Sequence, residues 1–208
     1  MTVLQSIAFY QNRRDEAPNQ ELAHRLFESQ DRQGIQEIAE GLWHHDPNVQ
    51  SDCLKVLYEI GYLQPVLVAE YTADFMELLQ SRNNHLVWGA MTALSTVAAL
   101  QADELFPHTV EIQKAMDSGS VITRDNGVKV LAAIAATKVE YRLAIFPYLL
   151  SHLQTCRPKD VPQHAESILP AVDASNRDVY IQVLENRKQD LNVTQAARVN
   201  KVITGLRR

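Results

Sequence analysis

Glycine and proline are scarce here, with 7 and 8 in 208 residues, and that excludes a long low-complexity tail. Alternating runs of β-branched residues are almost missing, so strands are not expected to build the interior. No apolar stretch reaches the ~18 residues of a membrane span. The richest, Val128 to Ala136, is short and carries Lys129. Met1 to Arg14 shows no basic stretch followed by a long apolar core, so no secretory leader is expected there. Cysteine is limited to Cys53 and Cys156, far apart in the chain. Two reduced thiols in a cytoplasmic protein account for them.

Catalytic signatures are also missing. The chain has no Walker loop, no GxGxxG fingerprint, no Gly-x-Ser-x-Gly elbow and no CxxC pair. His44-His45-Asp46 is the one tight run of metal-binding side chains. Adjacent histidines on a helix end point about 100° apart, so a polar turn explains them better than a metal site. His164-Ala165-Glu166 does not match a zinc helix. The 25 acidic residues are spread over amphipathic helices, where solvated faces account for them. The sequence nominates no catalytic residue, no metal and no cofactor.

Charge is unevenly placed. The net charge is −5, yet Arg187, Lys188, Arg198, Lys201, Arg207 and Arg208 against Asp190 give the last 22 residues +5 and leave −10 on the rest. An acidic body disfavours nucleic acid, whose phosphates need a field of the opposite sign. The basic end has four readings: a solvated helix end favoured by its own dipole, or a segment docked on the acidic body, on a partner or on RNA.

What is present in quantity is hydrophobic content, 46% of the chain, and it is periodic. Val49, Cys53, Leu57 and Ile60 recur as Leu86, Ala90, Leu94 and Val97, then Thr123, Gly127, Leu131 and Ile134, then Val161, Ala165, Leu169 and Val172. The four rows stand about 37 residues apart and hold a large–small–Leu–β-branched pattern at i, i+4, i+8 and i+11. That is one face of a helix repeated at a fixed period, the signature of stacked helix pairs. Partner helices are expected near Arg32–Trp43, Pro65–Gln80, Asp103–Met116 and Lys138–Leu153. The polar turns at residues 45–48, 81–84, 117–120 and 157–160 offer Asn, Ser and Asp as N-caps before each row. Pro107 and Pro147 are expected to kink their helices or to mark an earlier start.

Asp46-Pro47-Asn48-Val49-Gln50, with Cys53, Leu57 and Ile60 after it, resembles the second helix of a HEAT repeat. The resemblance covers about Arg32 to Val172; Pro162 and Thr123 depart from the usual Arg and Val. Armadillo relatives differ chiefly by a third short helix, and that alternative stays open. The resemblance implies an all-α, right-handed α–α solenoid whose second helices line a concave groove. The expected organisation is one repeat domain over 1–208: an N-terminal cap at 1–31, repeats at 32–173 and a C-terminal cap at 174–208.

Advancing 100° per residue, the positions opposite the buried stripe are Ser51, Lys55 and Tyr58. Their repeat-mates are Trp88, Thr92 and Ser95, then Asp125, Lys129 and Ala132, then Gln163, Ser167 and Pro170, with Arg124, Asn126 and His164 flanking the line. The expected groove is therefore Ser51, Lys55, Trp88, Thr92, Arg124, Asp125, Lys129 and Gln163. Trp88 is its best anchor, because tryptophan is costly to leave in water and over-represented at binding hot spots. Burial by a neighbouring helix is the alternative. A second candidate is the N-terminal segment with Tyr10, Arg13 and Arg14. Its arginines fit carboxylates or phosphates, or else local pairs with Asp15 and Glu16.

These features point to a non-enzymatic adaptor that holds a peptide or protein in the groove, with neither a membrane nor nucleic acid as partner. One alternative is an accessory or maturation factor presenting a cofactor or substrate to another enzyme. A remoter one rests on resemblance to HEAT-like alkylpurine DNA glycosylases, whose groove tryptophans, arginine and aspartate have superficial counterparts in Trp88, Arg124 and Asp125.

Overall fold

The structure, a computed structural model, describes residues 2–208; the first residue of the expected N-terminal cap, Met1, lies outside the described residues. Among the described residues there is no strand. The helices are α1 (Ala17–Ser29), α2 (Arg32–Glu40), α3 (Pro47–Leu63), α4 (Thr72–Leu78), α5 (Asn84–Val97), α6 (Ala102–Leu105), α7 (Thr109–Ser118), α8 (Val121–Thr137), α9 (Val139–Thr155), α10 (Val161–Ile168), α11 (Arg177–Arg187) and α12 (Val193–Leu206). None of them is long and apolar enough to cross a membrane.

Every member of the first three repeated rows is buried, from Val49 on α3 to Ile134 on α8. The fourth row starts the same way with Val161 and Ala165 fully buried, but Leu169 and Val172 are only half-buried. The reason is local: α10 stops at Ile168, and Leu169–Ala171 turns as a 3-10 helix around Pro170. Asp46 accepts from the Asn48 amide at 2.8 Å, Asn83 from the His85 amide at 2.9 Å, and Ser120 from the Thr123 amide at 3.2 Å, so three of the expected caps form. The fourth does not. Asp160 caps nothing and instead accepts the Arg157 Nε–H at 2.7 Å.

The partner helices are more broken than expected. The stretch from Pro65 opens with two 3-10 turns before α4 begins at Thr72. Pro107 sits in a 3-10 turn, Phe106–His108, that separates α6 from α7. Pro147, in contrast, lies inside an uninterrupted α9.

The chain divides into two compact units, Met1–Gln101 with Val110–Gly127, and Ala102–Thr109 with Val128–Arg208. In the first, α3 packs between α1 and α5, and α4 packs on α5. Gly89 makes the α3–α5 approach possible: a Cβ there would meet Leu54 Cδ2 at 2.6 Å. In the second, α9 and α12 each contact both α10 and α11. Arg187, 9% exposed, donates to the carbonyls of Leu153 and Gln154 at 2.7 Å and of Cys156 at 2.8 Å. One side chain thus satisfies the orphan carbonyls at the C-terminus of α9.

The N-terminal segment runs through a 3-10 turn and an irregular loop, residues 7–16, before α1, and the C-terminal segment carries α11 and α12. The basic C-terminus is largely neutralised: Arg187 pairs with Asp190, Arg198 forks onto Glu166 at 3.0 and 2.6 Å, and Lys188 and Arg207 both reach Glu185. Docking on the preceding chain describes Arg198 and Arg207, whereas Arg187 and Lys188 pair with neighbours three residues away.

Candidate functional site

The first unit carries a cavity of about 830 Å³ walled by the N-terminal loop, the first half of α3 and the start of α5. The loop is held down by a short chain of hydrogen bonds that starts from a buried side chain. Asn19, 1% exposed, accepts from the Ala8 amide at 2.9 Å and donates to Asp52 Oδ1 at 2.8 Å. Asp52 Oδ2 then accepts from the Phe9 amide at 2.7 Å. Asn19 occupies the first place of the apolar stripe Asn19, Leu22, Ala23, Leu26 on α1, which carries it inward. The loop turns at Asn12, whose φ of 53° lies in the left-handed region that asparagine tolerates.

Most charges in the cavity are already engaged. Arg13 forks onto Asp15 at 3.0 and 2.8 Å, and this bond holds the exposed Asp15 carboxyl below its ordinary range. Lys55, 9% exposed, contacts Glu16 at 2.8 Å and Glu59 at 2.7 Å, and lies 4.9 Å from the centre of the Tyr58 ring. Burial opposes its charge, but the hydrogen bonds from Glu16, Glu59 and Tyr58 outweigh it and push the ammonium above its ordinary range. Burial raises the Tyr58 hydroxyl to about 12. Arg14, by contrast, is exposed and forms no ion pair with a described residue.

Trp88 forms the far wall. It is half-buried, with its rings 6.5 Å from Tyr58 and 5.9 Å from His85. Its indole N–H has no acceptor among the described residues. The wall therefore offers a flat apolar face and one free donor, and Arg14 lines the same cavity.

Of the groove positions expected from the sequence, Ser51, Lys55 and Trp88 line this cavity, and so do Arg13 and Arg14 from the second candidate. Tyr10 does not; it is exposed, packs edge-on against Phe9, and its hydroxyl lies 3.5 Å from His44 Nε2. Thr92 differs from the expectation of an open groove position, being 5% exposed. Its hydroxyl donates to the Trp88 carbonyl at 2.7 Å and accepts from Asn126 Nδ2 at 2.8 Å, which makes its burial tolerable. Arg124 donates to the Gly119 carbonyl at 3.2 Å, and neither it nor Asp125, Lys129 or Gln163 lines the cavity. The expected trio of Trp88, Arg124 and Asp125 thus does not share this site. Sequence reasoning missed Asn19 and Asp52; a polar residue at the head of an apolar stripe was the available signal.

It also missed a cluster in the second unit. His152 in the last turn of α9, Cys156 just past its end and His164 on α10 bring one ligand atom each within 4.8 Å of one another. The i, i+4 spacing of His152 and Cys156 was legible, but nothing local announced His164.

No protein-family model matches the sequence, and no curated protein sequence matches it. Solved structures do match. A designed armadillo repeat protein in complex with the peptide (KR)4 superposes with a TM-score of 0.68 at 14% identity, covering 88% of this chain and 86% of that one. A second designed armadillo repeat protein gives 0.65 at 16% identity over 98% of both chains. Computationally designed armadillo repeat proteins for modular peptide recognition give 0.64 at 16% identity, again over 98% of both. The chain has the all-α, armadillo-like repeat fold.

Proposed function

We propose that the first unit is a non-catalytic receptor for a peptide or protein segment, seated between the N-terminal loop and Trp88. The observation that carries this reading is the makeup of that wall: a half-buried indole lines one cavity with the exposed Arg14, and neither side chain has a polar partner among the described residues. An apolar ligand side chain would pack on Trp88 and Tyr58, a backbone carbonyl would accept from the indole, and Arg14 would take a carboxylate or a second carbonyl. Asp15, Glu16 and Asp52 are each tied to a protein donor, which supports a binding role for this cavity. The designed armadillo proteins described as peptide-binding support a peptide as ligand class, although the carboxylates here are committed and a basic peptide gains no free acidic partner in this cavity. The reading places the protein in the cytoplasm, with two cysteines that form no disulfide.

Selection of a random displayed-peptide library on the immobilised chain tests it. A consensus enriched on the wild type and lost on Trp88→Ala is expected. No enrichment, or the same consensus on both chains, would count against the cavity as the site.

A further inference from the structure

The histidine–cysteine cluster of the second unit is not used by the peptide reading and has the chemistry of a different kind of site. His152 lies in the last turn of α9 and Cys156 is the residue that caps its C-terminus, its amide donating to the His152 carbonyl at 2.8 Å. His164 enters from α10, two residues after Pro162, and is 1% exposed. Its Nδ1 stands 3.1 Å from His152 Nε2. Two nitrogens bound to one tetrahedral Zn²⁺ at about 2.0–2.1 Å are separated by roughly 3.3 Å. The imidazoles therefore already stand at nearly the spacing of two ligands on one ion. The Cys156 sulfur and one nitrogen of each imidazole lie within 4.8 Å of one another.

The surroundings hold these groups in place. Arg187 fixes the end of α9 through the carbonyls of Leu153, Gln154 and Cys156, and Tyr148 stacks on His152 at 6.4 Å. Fixed neighbours of this sort orient ligands and reduce the reorganisation that binding requires. Two imidazoles and one thiolate form a borderline-soft donor set, suited to zinc and the late first-row divalent ions rather than to magnesium or calcium.

We propose that His152 Nε2, Cys156 Sγ and His164 Nδ1 bind one Zn²⁺, with water in the fourth position. On binding, the Cys156 S–H bond breaks, an S–Zn bond forms and the proton leaves to solvent. Each imidazole stays neutral, with its remaining proton on the nitrogen away from the metal. His152 and Cys156 are half-buried, which leaves that side of the site open for the water.

The test is titration of the chelator-stripped, tag-free full chain with Co²⁺, followed by displacement with Zn²⁺. Saturation at one ion per chain, a thiolate-to-cobalt charge-transfer band and micromolar or tighter Zn²⁺ affinity are expected. Cys156→Ser should abolish that band. His152→Gln should weaken Zn²⁺ by at least ~10-fold, since even outer-shell losses cost that much. These two positions are half-buried, so the variants remain readable if a His164 variant fails to fold. Absence of saturable binding below about 100 μM would overturn the proposal. So would affinity unchanged within about threefold in the Cys156→Ser, His152→Gln double variant.

Discussion

Asn19→Ala isolates the device that shapes the peptide cavity. The substitution deletes an acceptor for the Ala8 amide and a donor to Asp52, leaving the amide of a buried residue unpaired and one carboxylate oxygen without its partner. A neutral hydrogen bond contributes about 0.5–1.5 kcal/mol and one to a charged group about 1.5–3, so the loss comes to roughly 2–4 kcal/mol. For a chain of this size each kcal/mol lowers Tm by about 2–4 °C, which places the shift near 4–16 °C if the first unit limits the melt. Thermal unfolding followed by circular dichroism measures this. Hydrogen exchange adds a local readout: the Ala8 and Phe9 amides should lose protection together, because Phe9 bonds to the carboxylate that Asn19 orients. Peptide binding should weaken as well, since the loop would no longer be held against α3. A Tm within about 1 °C of wild type, with both amides still protected, would refute the reasoning.

Other consequences follow from buried groups. The Cys53 thiol is fully buried, and burial, with Asp52 and Glu37 adding to it, raises its pKa from 9.0 to about 12. A raised folded value gives stability that is intact below pH 9 and is lost as pH climbs towards 12; the three-unit span is about 4 kcal/mol in all. Cys53→Ala should therefore be less stable at pH 7 but show a flatter stability profile from pH 9 to 11, measured by urea melts; an unchanged slope would contradict this. Arg187→Ala strands three carbonyls at the end of α9 and should cost about 3 kcal/mol or more, while Arg187→Lys recovers only part of it, because an ammonium lacks the planar fork. Thermal melts of the two variants decide it, and equal Tm values for Lys and Ala would show that charge alone is insufficient. In the second unit, Cys156→Ser should remove the thiolate-to-cobalt band described above.

The repeat was legible because each row places a small residue between two large ones at helical spacing. Cys53, Ala90, Gly127 and Ala165 are all buried, and the first three rows stay on helices to their last member. The fourth row shows where periodicity fails, since Pro170 converts its last turn to a 3-10 helix. Proline position alone does not give the outcome. Pro107 interrupts a helix and Pro147 does not. Angular position on a helix placed Ser51, Lys55 and Trp88 on one side, but it could not show that Thr92 would be buried, which depends on Asn126 from another helix. The loop contacts of Asn19 with Asp52 and the approach of His164 to His152 join residues 33 and 12 apart respectively, beyond any local pattern.

The central claim is that Trp88 and Arg14 together receive a peptide. Its most direct test is calorimetric titration of a peptide enriched on the wild-type chain into wild type, Trp88→Ala and Arg14→Ala, with Tm recorded for each. The account predicts at least a tenfold loss of affinity, about 1.4 kcal/mol or more, for Trp88→Ala and a smaller loss for Arg14→Ala, at unchanged Tm. Equal affinity for all three chains would contradict it and move the binding surface away from this cavity.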